Sequence, residues 1–579
     1  MFRMTSQDRT RISFPGPLTV MLAAALSVPA HAQSNPFPTY QPGQNVNAPT
    51  GPTYSHPLSN PWVVSDGTII TPAGIQVYLG TTTRAKAVAV NPTGNHTAAV
   101  LQMGAPQAVT VFNTQTGEIL QTYSAPYESA GTTKNDPDGS STGITYSPDG
   151  RYLLFSQDGN SGSGSFVSIA SVNPSTGLLS SFAHISVPID VNAEGVLTNV
   201  TCYPYKDSDL KKPATGSPGG TTGSFEIPCG FPYSIFTDDT FTSYPMGIAV
   251  SPDGKTAYAV LDNNDTLTKI SLNAVRLMQG PEVRVGNVPH SVVISPDGKT
   301  AYVSNEAGPV PSASDFQLYS NGTPVAAEYP TGTTVPGTVS VVNLESFKVT
   351  GTITTGHHPT GMAFWGKYLL VANAYSDSIS VIDTGNNEVV QTVNLGLQLG
   401  REGDERAVVG AGPNSIAVDA KGNKAYVALY NANAIAVVDL KGYAESEVEG
   451  MIPTAYAPSS VAFDATDNEL VVANDKGIGT TGFGVKPPPT NTAENSYATI
   501  FGVTGFNTHE DLGTVSIIPV PNRSTLGAMT QQVVENNHWD LRENIESASG
   551  GDPHKRPVAI PAKIGDPSLI KHVNRKSVV

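Results

Sequence analysis

Apolar and polar positions follow one unit that recurs along the chain. A short apolar strand leads into a tight turn, then a second strand ending in Asn or Asp, then an alternating strand of the form x-Val-x-Val-[Ile/Val]-[Asp/Asn]. The turn is plainest at Ser251-Pro252-Asp253-Gly254 and Ser295-Pro296-Asp297-Gly298, and it recurs at Ser147-Pro148-Asp149-Gly150. Looser copies stand at Asn91-Pro92-Thr93-Gly94, Trp365-Gly366-Lys367, Asp419-Ala420-Lys421-Gly422 and Asp464-Ala465-Thr466-Asp467. Pro presets φ early in such a turn and Gly supplies the positive φ that reverses the chain. Third strands follow these turns, beginning at Val109, Phe166, Thr266, Thr338, Ser378, Ala434 and Thr514, and alternation with period two marks them as strands. Most lead through a polar turn to a fourth strand, as at Glu388–Val393. One four-stranded sheet cannot bury both of its faces alone. Seven copies therefore predict an all-β fold, a seven-bladed β-propeller.

The chain ends predict how the ring closes. After the seventh third strand come Pro519, Pro521 and a helix-like segment from Ser524 to Asn537, with no fourth strand. Ahead of the first repeat stands an extra strand, Gly74–Gly80. Donating that strand to the last blade removes two exposed edges. The predicted organisation is a signal peptide at 1–32, an extension at 33–73, a propeller at 74–520 and a helix with a tail at 521–579.

Ala425-Tyr426-Val427-Ala428, Leu370-Val371-Ala372-Asn373 and Val471-Val472-Ala473-Asn474 make the repeats resemble the YVTN-type β-propeller family over about residues 74–520. The resemblance implies the fold and leaves the activity open. The tail adds a narrower one. Gly513-Thr514-Val515-Ser516-Ile517-Ile518, the segment Leu526 to Asn537, Ile560-Pro561 and Pro567-Ser568-Leu569-Ile570-Lys571-His572-Val573 are similar to the junction in secreted propellers fused to an alkaline-phosphatase-like domain. The nucleophile and metal ligands of such a domain have no counterpart here, so phosphatase activity is not implied. A truncation or frameshift would give this ending.

Composition narrows the picture further. Gly 56 and Pro 46 in 579 residues are too many for a helical bundle, and 18 Phe with 22 Tyr supply a core that a disordered chain lacks. A net charge of −16 disfavours nucleic acid as a partner, because phosphate needs a cationic surface. Arg3, Arg9 and Arg11 precede the apolar run Leu18–Val28, which is too short to span a bilayer, and Ala30-His31-Ala32 supplies a cleavage pattern. The chain is therefore expected to be exported, to periplasm or beyond, without a transmembrane segment once matured. Cys202 and Cys229 share one Gly/Pro-rich stretch, and a disulfide between them suits that compartment.

The candidate chemistry sits on one face. Short turns join first to second and third to fourth strands, whereas the insertions at 188–245, 305–337, 397–413 and 475–512 all fall in the other two classes of loop. Long loops in compact folds carry function, which makes the channel entrance on their face the expected site. Blade-to-blade loops should bring Arg84, Lys86, His290, His357, His358 and Asn414 to it. Loops after second strands should bring Asp262, Asn305, Glu306, Asn373, Tyr375, Tyr430, Asn431, Asn474 and Asp475. Such a ring could hold a small polar or anionic ligand, a protein partner or a divalent metal, while no cofactor motif is present. Asn and Asp at these positions also serve as backbone caps, which is the plainer reading. Adjacent His357 and His358 point opposite ways on an extended chain, so they make a poor joint ligand pair. The expected function is that of an exported binding or scaffold propeller. The alternative is a lactonase-like or phosphoester hydrolase, in which Asp262, Glu306 or Asp475 would activate water.

Overall fold

The computed structural model describes residues 62–539 except 65, 81–82, 105–107, 125–141, 159–164, 188–201, 204–226, 229–242, 274–278, 313, 321–322, 330, 397–409, 442–444 and 480–510. Seven four-stranded antiparallel sheets form the ring. Blade 1 is Thr83–Val90, Thr97–Gly104, Ala108–Asn113 and Ile119–Ser124, written from the channel outwards, and blade 2 is Ile144–Tyr146, Tyr152–Asp158, Ser165–Val172 and Leu179–Ser186. Blade 3 is Pro245–Val250, Thr256–Leu261, Thr266–Ser271 and Gln279–Arg284. Blade 4 is Pro289–Ile294, Thr300–Asn305, Thr338–Asn343 and Lys348–Thr354, with a hairpin of Gln317–Ser320 and Thr323–Ala326 inserted after its second strand. Blade 5 is Pro359–Trp365, Tyr368–Asn373, Ser378–Asp383 and Glu388–Asn394, and blade 6 is Pro413–Asp419, Lys424–Leu429, Ala434–Asp439 and Glu447–Pro453. The predicted third strands begin within one residue of these bounds.

Blade 7 joins Tyr456–Asp464, Glu469–Gly477 and Thr514–Pro519 from late in the chain to Ile75–Tyr78 from near its start. The pairing is antiparallel, Ile75 opposite Ile517 and Val77 opposite Val515, and the N-terminal strand closes the ring as expected. Gln76 is buried in this seam: its Oε1 accepts from Ser516 Oγ at 2.8 Å and its Nε2 donates to Ala73 O at 2.9 Å.

The core lies between blades rather than within them. Leu101 and Val109 of blade 1 pack with Leu153 and Phe155 of blade 2, and equivalent clusters join every later pair of neighbours. The last of these contacts unites Val471, Val515 and Val77 of blade 7 with Ala85, Val100 and Phe112 of blade 1. Inner strands approach closely enough to need small residues. A Cβ on Gly361 would lie 2.6 Å from Asn414 O, and one on Gly247 would lie 2.8 Å from Ser291 Cα.

The helix Arg523–Asn536 is capped by Asn522, whose Oδ1 accepts from Thr525 N at 3.0 Å. It buries Leu526, Thr530, Val533 and Val534, and Thr530 Oγ1 accepts from Met451 N in the outer strand of blade 6 at 2.9 Å. The signal-peptide and tail expectations lie outside the described residues. The disulfide does too: Cys202–Tyr203 pairs in parallel with Ile227–Pro228, and Cys229 is not described.

Closure makes a sharp prediction. Val77→Asp buries a charge against Val515 and should cost about 3–5 kcal/mol in a urea titration. Deleting 33–80 should leave Thr514–Pro519 as a bare edge and drive aggregation, whereas deleting 540–579 should leave the melting temperature unchanged. A soluble, equally stable protein without residues 33–80 would refute the closure.

Candidate functional site

Five inner strands enter the ring through the same strained corner. Tyr244, Val288, His358, Gly412 and Ala457 have φ of 48°, 54°, 56°, 65° and 60°, and each directly precedes a proline at or near the start of a strand. Positive φ is costly for a residue with a Cβ, and most of all for β-branched Val288. Directly after each proline the pairing slips: Pro289 faces Asn305 but Ser291 faces Ser304, and Pro413 faces Leu429 but Ser415 faces Ala428. The extra residues are His290 and Asn414. Blade 1 has no such proline, yet slips between Ala85 and Ala87, which makes Lys86 its extra residue. Arg84, Lys86, His290 and Asn414 therefore sit on the inner strands themselves, correcting their placement in blade-to-blade loops. A bulge takes one residue out of the ladder and re-aims its side chain.

Acidic and amide side chains hold these corners. Asp265, Asp377 and Asn433, at φ of 49°, 47° and 51°, each precede a third strand and bind the corner of the next blade. Val288 N donates to Asp265 Oδ1 at 2.8 Å, Gly412 N to Asp377 Oδ1 at 3.1 Å and Ala457 N to Asn433 Oδ1 at 2.9 Å. Asn305 and Asn373, which end second strands, and Asn474, three residues before the end of its own, are fully buried inside their own blades. Their Nδ2 groups donate to Ser340, Ser380 and Ser516 Oγ at 3.0, 3.0 and 2.9 Å. These three amides are built into the blades themselves. Asn431 is exposed and Asn414 half-buried.

Two polar groups converge on the looped face. The first spans the seam between blades 7 and 1. Asp475 Oδ1 and Oδ2 accept from Arg84 Nε at 3.1 Å and Nη2 at 2.5 Å, and Oδ2 also accepts from Tyr430 OH at 2.7 Å. Lys86 Nζ lies 3.5 Å from Asp475 Oδ1, and Asp511 Oδ2 lies 4.0 Å from Arg84. Burial opposes charge on Asp475, but Lys86 and Arg84 outweigh it and hold the carboxyl below its ordinary range. Burial, with Asp475 nearby, raises Asp511 to about 6. Lys476 stands over the rings of Tyr430 and Tyr456, 5.8 and 4.9 Å from their centroids.

The second group joins blades 3, 4 and 5. Glu306 Oε2 is 3.1 Å from His358 Nε2, and its Oε1 is 3.8 Å from His290 Nε2. Burial, aided by the charge of Asp262, pushes the Glu306 carboxyl well above its usual value. Burial lowers His290 to about 3, with His358 and Lys86 adding to the effect, and lowers His358 to about 4. Near neutral pH the two imidazoles are neutral, and between them lies a carboxyl whose ionisation burial opposes. Tyr375, 55% exposed, lies against His358 with ring centroids 4.1 Å apart, and His357 N donates to Ser376 Oγ at 2.8 Å. Lys86 links the two groups, since its charge reaches His290 three blades away.

Of the candidate residues, Arg84, Lys86, Tyr430 and Asp475 meet in one group, and Asp262, His290, Glu306, His358 and Tyr375 in the other. Asp511 and Lys476 escaped sequence reasoning. Lys476 directly follows Asp475 and was legible by adjacency, whereas Asp511 stands at the far end of an insertion with no repeat to align it. Among the described residues no group of three or more His, Cys, Asp or Glu is arranged to hold a metal ion. Among them, too, no helix is long and apolar enough to cross a membrane.

Residues 275–478, from the outer part of blade 3 into blade 7, match the model of the choice-of-anchor I domain. With the propeller fold, this match suggests an extracellular surface or scaffold protein. The match supports neither the YVTN type nor the phosphatase-fusion junction. No curated protein sequence matches the chain. Among solved structures, Kuenenia stuttgartiensis hydrazine synthase is 16% identical with a TM-score of 0.42, covering 68% of this chain and 92% of its own. U3-55K is 9% identical with a TM-score of 0.43, covering 76% and 97%. The RRP9 WD40 repeats are 10% identical with a TM-score of 0.44, covering 78% and 99%.

The seam group predicts a stability effect. Asp475→Ala leaves Arg84 and Lys86 without their buried counter-charge and should cost about 3 kcal/mol, near the low end for a broken buried pair because 24% of the Arg84 side chain still meets water. Asp377→Ala frees the N–H groups of Gly410 and Gly412 and should cost about 1–2 kcal/mol. Urea titration of both variants checks the order, which a fully solvated Asp475 would reverse.

Proposed function

We propose that this is an exported propeller that binds a small polar ligand at the channel mouth of its looped face. The observation that carries the reading is the meeting of Lys86, His290, Glu306 and His358, contributed by blades 1, 4 and 5. Blade-to-blade packing needs only apolar faces, so ionisable groups drawn from opposite sides of the ring serve something other than the core. Burial opposes charge on three of them, which leaves donors and acceptors inside the mouth and suits ligand recognition. The choice-of-anchor match supports the exported setting.

A hydrolase is the second reading, favoured by one feature. A carboxyl whose hold on its proton is strengthened by burial, beside a neutral imidazole, is the kind of group that acid catalysis uses.

Calorimetry against small polar compounds, with a parallel screen of lactones and phosphoesters, separates the two. Under the binding reading, Glu306→Gln and His290→Gln should each weaken association at least tenfold, with no turnover detected. Asp253→Ala and Asp297→Ala, in turns on the opposite face, should leave it unchanged. Turnover by the wild type that Glu306→Gln abolishes would establish the hydrolase instead. Association lost through the Asp253 or Asp297 changes alone would move the site to the other face.

A further inference from the structure

Resting on the binding reading, the geometry points to a small oxyanion as the ligand, held by Lys86, His290 and His358 and taken up together with a proton.

Lys86 is the cation with donors to spare. Both oxygens of Asp475 already accept from Arg84, and Oδ2 accepts from Tyr430 as well. The Lys86 ammonium stands back at 3.5 Å and shares only the flank of that carboxylate. An ammonium carries three N–H donors. With Asp475 taking one at most, two are left for a group in the channel. The bulge at Ala85/Ala87 is what turns Lys86 there, just as the bulge at Pro289/Ser291 turns His290.

The imidazoles supply the rest. Nδ1 of His290 and Nδ1 of His358 are buried atoms with no hydrogen-bond partner. Native proteins rarely leave such atoms unmatched. Each Nε2 faces Glu306, so the two free nitrogens are the edges left for a ligand. A protonated imidazole offers both nitrogens as donors, and a carboxylate or phosphate oxygen is the acceptor that such donors and an ammonium recognise.

The proton follows from the charge balance. Lys86, Asp262, Glu306, His357 and Tyr375 are the charged or titratable groups placed near the imidazoles. Burial pushes the Glu306 carboxyl well above its usual range, and the Asp475 carboxylate beside Lys86 is already paired with Arg84. Without a ligand, burial keeps His290 and His358 uncharged near neutral pH. An anion placed between them and Lys86 favours the imidazolium, so the bound state holds more protons than the free state. The imidazole pKa is then higher bound than free. Affinity rises as pH falls through the bound-state value, and it stops rising below the free-state value.

The test uses the full chain with inorganic phosphate and acetate as probes, and glucose as a neutral control. Isothermal titration at pH 5, 6 and 7, in buffers of different ionisation enthalpy, reads affinity and protons together. Expected is at least one anion binding with uptake of 0.5–1 proton at pH 6, by the linkage of one group between its free and bound pKa, and affinity about tenfold or more higher at pH 5 than at pH 7. Lys86→Met and His358→Gln should each weaken that anion at least tenfold, with far-ultraviolet circular dichroism and melting curves confirming that both fold. Should Lys86→Met fail to fold, His358→Gln carries the test through the lost proton uptake. Anion binding with no proton uptake, or binding indifferent to both variants, overturns the inference. Glucose binding that these variants abolish, with no anion binding, overturns the inference and leaves the binding reading standing. No binding by any probe, or by the wider compounds of the calorimetric screen, overturns both.

Discussion

Each blade is apolar on both faces, and nothing inside a blade can cover them. Every sheet must therefore lie between two others, and a chain of such sheets has to meet its own beginning. Ile75–Tyr78 does this by pairing with a strand more than 430 residues later, and the cluster around Val77, Val515 and Phe112 is what the pairing buries. The site depends on the same closure. Arg84 belongs to blade 1 and Asp475 to blade 7, so their bidentate pair exists only once the two ends of the sheet series are neighbours. Charge and core fasten one seam from two sides.

The mouth of the channel is shaped by strain. Residues such as Val288 and Ala457 hold positive φ ahead of a proline, a conformation they would leave if nothing fixed it. Asp265, Asp377 and Asn433 fix it by hydrogen bonds from the preceding blade. The strained corner and the bulge after it are thus determined by the neighbour, and the neighbour by its own neighbour. That circular dependence sets His290 and Lys86 at fixed places around the axis. A rigid first layer of this kind keeps a ligand site organised before anything binds.

The order of strands, the turns and the closing strand were legible in the sequence because they rest on local periodicity. Ser251-Pro252-Asp253-Gly254 is a turn whatever surrounds it, and Gly74–Gly80 stood out as a strand with no partner nearby. The bulges were not legible. Inserting one residue does not change the composition of a strand, and His290 after Pro289 looks the same in a loop as in a slipped ladder. Asn305, Asn373 and Asn474 carried two readings at once, since a side-chain amide can face the channel or bond its own blade. Only the position of Ser340, Ser380 and Ser516 opposite them separates the two. The pairing of Glu306 with His358 joins the end of one blade's second strand to the entry of the next blade, a distance in space that no spacing in the chain encodes.

What remains is why one channel mouth pushes one carboxyl below its ordinary range and another above it. Burial disfavours charge equally in each, and the outcome turns on whether counter-charge lies within reach. Asp475 has Arg84 and Tyr430 in contact and Lys86 close by, enough to keep it charged despite losing its water. Glu306 faces the imidazoles of His290 and His358, with Asp262 nearby to repel its charge, so its carboxyl is pushed well above the usual range. Lys86 lies between the two conditions. It is pulled by Asp475 yet penalised by its own burial, and burial wins far enough to lower its pKa. On a protein carrying −16 overall, Arg84 and Lys86 are drawn together here by the buried carboxylate of Asp475.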